Sequence, residues 1–134
     1  MKQSTTKLIM ILSAVFLAVI GISLTFLPAE IAGITGITPD KTFTVILQLL
    51  GALYFSFAML NWMAKGTIIG GIYNKPVSIA NMTHFVIGAL ALIKLLLNNH
   101  DLHYAIWILA GIYAVFAVLF GVIFSKNPVA DSKS

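Results

Sequence analysis

The chain has 134 residues, 60% of them hydrophobic and 9% charged, with a formal net charge of +4. An ordinary soluble domain carries roughly 25% charged residues and a disordered chain is polar, so this composition fits neither. All eight basic residues are Lys, which leaves no guanidinium fork for nucleic-acid phosphates, and the sequence has no Cys and hence no disulfide or thiolate metal site.

Four apolar stretches, 8–27, 43–64, 77–97 and 104–124, make up most of the sequence. Each is close to the ~20 residues that a helix needs to cross ~30 Å of hydrocarbon. Lys2 and Lys7 ahead of the first stretch resemble the start of a secretory signal. The apolar run behind them outlasts a signal core of ~7–15 residues. It ends in Leu27-Pro28-Ala29-Glu30 without a small-x-small cleavage pattern, and is read as a retained first helix.

The connection 28–42 holds Gly33-Ile34-Thr35 and Gly36-Ile37-Thr38 and is apolar enough to lie among headgroups. Thr38-Pro39-Asp40 predicts the next helix start, with Thr38 as N-cap, Pro39 at N1 and Asp40 at the positive dipole end. Lys65-Gly66 stops that helix. The glycine-paired segment 66–76 has two readings: an interfacial loop with Tyr73 at headgroup level, or a segment that partly re-enters the protein. Trp62 and Trp107 fit the same interfacial belt. Asn74-Lys75-Pro76 opens the third span with Pro76 at N1, and Asn99 or Asp101 is the expected cap of the fourth. Lys126-Asn127-Pro128 ends it. The expectation is therefore one all-α membrane domain, with helices over about 8–27, 39–64, 76–97 and 102–125 and a polar tail at 126–134.

Lysine placement gives the orientation. Lys2, Lys7, Lys65, Lys75, Lys126 and Lys133 fall on one side and Lys41 and Lys94 on the other. By the positive-inside rule both termini are cytoplasmic. Short connections favour an antiparallel four-transmembrane-helix bundle. Lipid tails give no hydrophobic drive for association, so small residues at helical spacing mark the contacts. These are Ala14, Ala18 and Gly21; Gly51 and Ala58; Ala80, Gly88 and Ala91; and Ala110, Ala114, Ala117 and Gly121.

Intramembrane polar residues are where function is sought, because each costs free energy unless partnered. Asn61 and Asn81 sit at similar depth, and His84 lies one turn deeper on the Asn81 face. Tyr54 shares the Asn61 face, and Tyr113 is near the middle of the fourth span. Tyr54, Asn61, Asn81, His84 and Tyr113 are thus candidate ligand-binding residues lining a cytoplasmic-side pocket. The competing reading is structural glue, through Asn–Asn and Tyr–His hydrogen bonds of ~0.6 kcal/mol each. Gln48 reads as an interhelical hydrogen bonder, and Lys94 as a lysine whose stem reaches the outer headgroups.

Other chemistry has little to stand on. A haem on His84 would need a second subunit or another ligand. His100-Asp101-Leu102-His103 has a metal-like spacing, but loop-capping residues explain the same letters, and no metal or cofactor is assigned. Ser56 or Ser78 with His84 lacks an acid to orient the imidazole. No carboxylate lies within any span, which argues against proton-coupled export of the small multidrug-exporter type.

The hairpin QLLGALYFSFAMLNWMAKG, residues 48–66, and the four-span layout resemble the small bacterial membrane proteins grouped as DoxX-like. The resemblance implies a four-helix subunit of a bacterial inner membrane, with a lipophilic cofactor or a partner subunit of a quinone-linked oxidoreductase. It transfers no residue roles. The functional expectation is a non-enzymatic accessory or scaffold subunit holding a lipid-like or quinone-like ligand, in company with a second copy or a partner membrane subunit. The alternative is a small dimeric transporter or channel with His84 as its titrating group.

Overall fold

The computed structural model describes residues 2–67 and 74–126. Among them the chain is all-α, with helices α1 (Gln3–Phe26), α2 (Pro28–Ile34), α3 (Lys41–Ala64), α4 (Lys75–Asn98) and α5 (Tyr104–Ser125). Four of the five, all but α2, are long and apolar enough to cross a membrane. At ~1.5 Å per residue they run ~33–36 Å, enough for ~30 Å of hydrocarbon. The expectations for Gly70, Gly71 and Tyr73, and for Asn127, Pro128 and Lys133, fall outside the described residues.

Helix ends depart from the sequence reading in four places. The segment after the first span is partly helical: α2 has Pro28 in its first turn and Glu30 near its positive end. That is the start chemistry that Thr38-Pro39-Asp40 also offers, a Pro in the first turn followed by a carboxylate. Gly36, at φ 76°, ends α2, and Ile37 N–H reaches back to the Ala32 carbonyl. Such a φ suits glycine, which has no Cβ to clash.

The α3 start is set by Asp40, not by Thr38 and Pro39. Its carboxylate accepts from Phe43 N–H at 2.7 Å, so Asp40 takes the N-cap role and Pro39 lies before the helix. In α4 the first residue is Lys75, which moves Pro76 to the second position. At α5 the cap is His103, neither Asn99 nor Asp101. The His103 Nδ1 accepts from Ala105 N–H at 3.2 Å, the work usually done by Ser or Asp.

Contacts divide the chain into two compact units, Met10–Met63 and Met1–Ile9 with Ala64–Ser134. In the first, the α1–α3 pair is matched residue by residue. Ser13 meets Asn61, Gly21 meets Gly51 and Phe55, and Thr25 meets Gln48. One number climbs as the other falls, the register of a helical hairpin. A Cβ placed on Gly21 would lie 2.7 Å from Phe55 N and 2.8 Å from Gly51 O. Only glycine permits that backbone approach. The small residues expected on these helices are thus at the contact, with Ala14, Gly21, Gly51 and Ala58 buried.

The second unit pairs α4 with α5 through rings. Phe85 is fully buried, stacks at 4.8 Å on Phe116 and 5.6 Å on Phe120, and meets the Tyr113 ring edge-on at 5.2 Å. The buried line of α4 is Ser78, Asn81, Phe85, Ala89 and Leu96. The expected stripe of Ala80, Gly88 and Ala91 is therefore displaced: Ala91 is exposed and Ala80 half-buried. Spacings of three and four centre the face on Phe85, and a bulky ring rather than a small residue fills it.

The outward faces are apolar. Leu49, Leu53 and Met63 on α3 and Ile87 and Leu90 on α4 are each at least 60% exposed. Surfaces of this kind suit lipid and are rare on proteins bathed in water. Trp62 and Trp107 are both nearly half exposed, each close to one end of its helix.

Candidate functional site

The polar side chains within the spans are built into the helices by two kinds of hydrogen bond. One kind turns back on its own helix. Ser13 Oγ donates to Met10 O at 3.0 Å, Ser78 Oγ to Lys75 O at 3.0 Å, and Asn81 Nδ2 to Val77 O at 2.9 Å. Such bonds let a short polar side chain sit in hydrocarbon without a distant partner. The other kind joins two helices: Asn61 to Ser13, Gln48 to Thr25, and Tyr113 to His84.

In the Met10–Met63 unit, Asn61 is fully buried on α3 and its amide donates to Ser13 Oγ at 3.0 Å. Ser13 is also fully buried, so one hydroxyl accepts from Asn61 while donating to Met10 O. Ser13 was not singled out from the sequence. The available signal was a hydroxyl in the first half of an apolar span, next to Ala14 of the small-residue stripe. Tyr54, seven residues before Asn61, is half-buried on α3. The Gln48 amide donates to Thr25 O at 3.3 Å, the interhelical role expected for it.

In the other unit, His84 and Tyr113 are brought together. Tyr113 Oη lies 3.1 Å from His84 Nε2, and the ring centres are 5.4 Å apart. Either the phenol donates to Nε2 or an Nε2–H donates to the phenol, according to the tautomer. Gly88, one turn beyond His84, makes the pair possible. A Cβ there would collide with the Tyr113 ring, so glycine lets the ring lie against the α4 backbone. Phe85 closes one side, edge-on to both His84 and Tyr113 at 5.0 and 5.2 Å. Tyr113 is buried and His84 half-buried, so the imidazole is the accessible part of the pair. Asn81 is fully buried one turn before His84 on the same helix.

Among the described residues every buried side-chain nitrogen and oxygen has a hydrogen-bond partner. A half-satisfied network would mark strain or a missing ligand, whereas this one is closed. No three His, Asp or Glu side chains among the described residues come together as metal ligands. His103 Nδ1 is engaged in capping α5, and its ring tilts over Tyr104 at 4.3 Å. No protein-family model, curated protein or solved structure matches this chain.

Proposed function

We propose that the chain is a non-enzymatic accessory or scaffold subunit of a bacterial inner membrane, holding a lipid-like or quinone-like ligand at His84 and Tyr113. In this reading it threads the bilayer four times as an antiparallel bundle with both termini cytoplasmic. The observation that carries it is a contrast within the spans. The buried polar side chains are tied into the helices by hydrogen bonds, while the His84–Tyr113 pair keeps a half-buried imidazole on an apolar wall. A lipophilic molecule with a polar head fits such a wall: its tail meets hydrocarbon and its head exchanges a hydrogen bond with imidazole or phenol. The lysine bias supports the orientation, and the likeness to DoxX-like proteins supports the choice of a quinone-like head.

Native mass spectrometry of the detergent-extracted chain tests this. The wild type is expected to carry a noncovalent lipophilic mass, a partner subunit, or both. His84→Leu and Tyr113→Phe are expected to shed the small molecule with unchanged helix content by circular dichroism. Retention of that mass by both variants would remove the ligand from this site. A wild type that is bare and alone would remove the accessory reading altogether.

The same hydrogen bond favours a second reading, a small dimeric transporter in which His84 takes up and releases a proton. Proteoliposomes separate the two: a proton or substrate flux abolished by His84→Gln belongs to the transporter, and its absence to the scaffold.

A further inference from the structure

The unit formed by Met1–Ile9 and Ala64–Ser134 has a lopsided charge distribution. Its described residues hold Lys2, Lys7, Lys65, Lys75, Lys94 and Lys126 against one carboxylate side chain, Asp101. Asp101 lies in the connection after α4, whereas Lys75 is the first residue of α4. Across the 24 residues of α4, at ~1.5 Å each, the two are separated by ~36 Å. That is several times the ~8 Å Debye length at physiological salt, so Asp101 does not neutralise this end.

Lys75 and Lys126 both belong to the neighbourhood of Phe124, one by contact and one by chain position. The Lys75 ammonium lies 5.7 Å from the centre of the Phe124 ring, and Lys126 follows Phe124 by two residues. Both lysines are exposed. The ring attracts the Lys75 cation and limits its swing, which leaves a basic ledge where α4 begins and α5 ends. Topology needs only the number of lysines on one side. It does not need one of them held against an aromatic ring.

We infer that this ledge binds the phosphate headgroup of an anionic phospholipid, with Lys75 and Lys126 supplying the charge and Phe124 placing Lys75. Charge complementarity carries the choice of occupant. Lysine is a strongly hydrated point charge suited to phosphate, and the ledge lies where two spans end, at the level of the headgroups. The inference is independent of the His84–Tyr113 ligand, which would sit within the spans.

The test is native mass spectrometry of the full chain in neutral detergent, titrated with phosphatidylglycerol, phosphatidylcholine and, separately, soluble glycerol phosphate. Each lysine near an anionic surface is worth about fivefold in affinity. The wild type is expected to prefer phosphatidylglycerol, and K75Q/K126Q to lose that preference by about 25-fold. Phe124→Leu keeps the charge and is expected to give a smaller loss, about twofold to fivefold, by freeing Lys75. Lys94→Gln removes a charge near the Asp101 end and is expected to change nothing. His84→Leu is also expected to leave phosphatidylglycerol binding intact, which keeps this test separate from that of the proposed ligand. Equal weakening by Lys94→Gln would reduce the effect to net charge and overturn the ledge. Equal binding of glycerol phosphate and phosphatidylglycerol would overturn the lipid.

Discussion

Between α1 and α3 backbone meets backbone at Gly21 and Gly51, whereas between α4 and α5 aromatic rings gather around Phe85. Both pairs join apolar helices that have nothing to gain from leaving hydrocarbon, since lipid solvates Leu and Phe as well as a neighbouring helix does. What remains is dispersion and hydrogen bonding. Glycines gather dispersion by removing side chains until the helix surfaces touch. The aromatic pair gathers it by stacking flat, polarisable surfaces between the helices. The two devices have opposite weaknesses: one cannot accept an added atom, and the other cannot lose one.

The largest expected effect follows from the glycine pair. A Cβ on Gly51 would lie 2.7 Å from Gly21 O and 2.9 Å from Thr25 N. These are backbone atoms that cannot rotate aside, so Gly51→Val must part the helices. Overpacking of this kind costs about 1–3 kcal/mol, and the upper end is expected because the Ser13–Asn61 bond lies along the same seam. Unfolding in detergent, followed by circular dichroism, should show it as a clear fall in midpoint. Phe85→Ala comes next. Burial of Phe is worth ~3–5 kcal/mol in soluble cores, but part of that is transfer from water. With lipid as solvent only the packing part survives, so about 2 kcal/mol is expected by the same measurement. A neutral Gly51→Val together with a costly Phe85→Ala would mean that rings hold both hairpins.

The same contrast explains what could be read from the sequence. The spans were legible because apolar length is a property of composition: 43–64 and 77–97 lie within α3 and α4. Gly21 and Gly51 were legible because a small residue at helical spacing has few other uses in a lipid-facing helix. In α4 the same rule picked Ala91, which is exposed, and overlooked Phe85 as a core residue. A phenylalanine in a membrane span looks alike whether it faces lipid or protein, so its role depends on the helix it meets. Ser13 was missed for a related reason, since its hydroxyl can be satisfied by its own helix at Met10 and gives no sign of a partner 48 residues away. His84 and Tyr113 were legible as polar residues able to share a Tyr–His hydrogen bond, but the glycine that admits the ring was not. Gly88 became meaningful only once the Tyr113 ring was seen against it. Caps slid by a residue or more where several polar residues competed, as at Asp40 and His103.

Hydrogen bonds should contribute less than packing in both units, and two smaller predictions measure that. Ser13→Ala leaves the Asn61 amide buried without its Ser13 acceptor, so about 1 kcal/mol is expected. A double-mutant cycle with Asn61→Leu should return a coupling near ~0.6 kcal/mol, the average for interhelical bonds in lipid. A coupling above ~2 kcal/mol would make this bond, rather than the glycine crossing, the main tie between α1 and α3.

Tyr113→Phe is the smallest and most discriminating change, because it removes one oxygen and leaves the ring in place. The contact with Phe85 at 5.2 Å and the fit against Gly88 both survive it, while the 3.1 Å bond to His84 does not. His84 is half-buried, so its freed nitrogen can turn toward other partners, and the loss should be about 0.6 kcal/mol or less. Gly88→Ala gives the complementary result, since it displaces the ring and disturbs bond and packing together. If rings hold α4 to α5, Gly88→Ala must destabilise the protein clearly more than Tyr113→Phe in the same detergent. The reverse order would place the tie in the His84–Tyr113 bond, and the contrast between a glycine-packed and a ring-packed hairpin would fail.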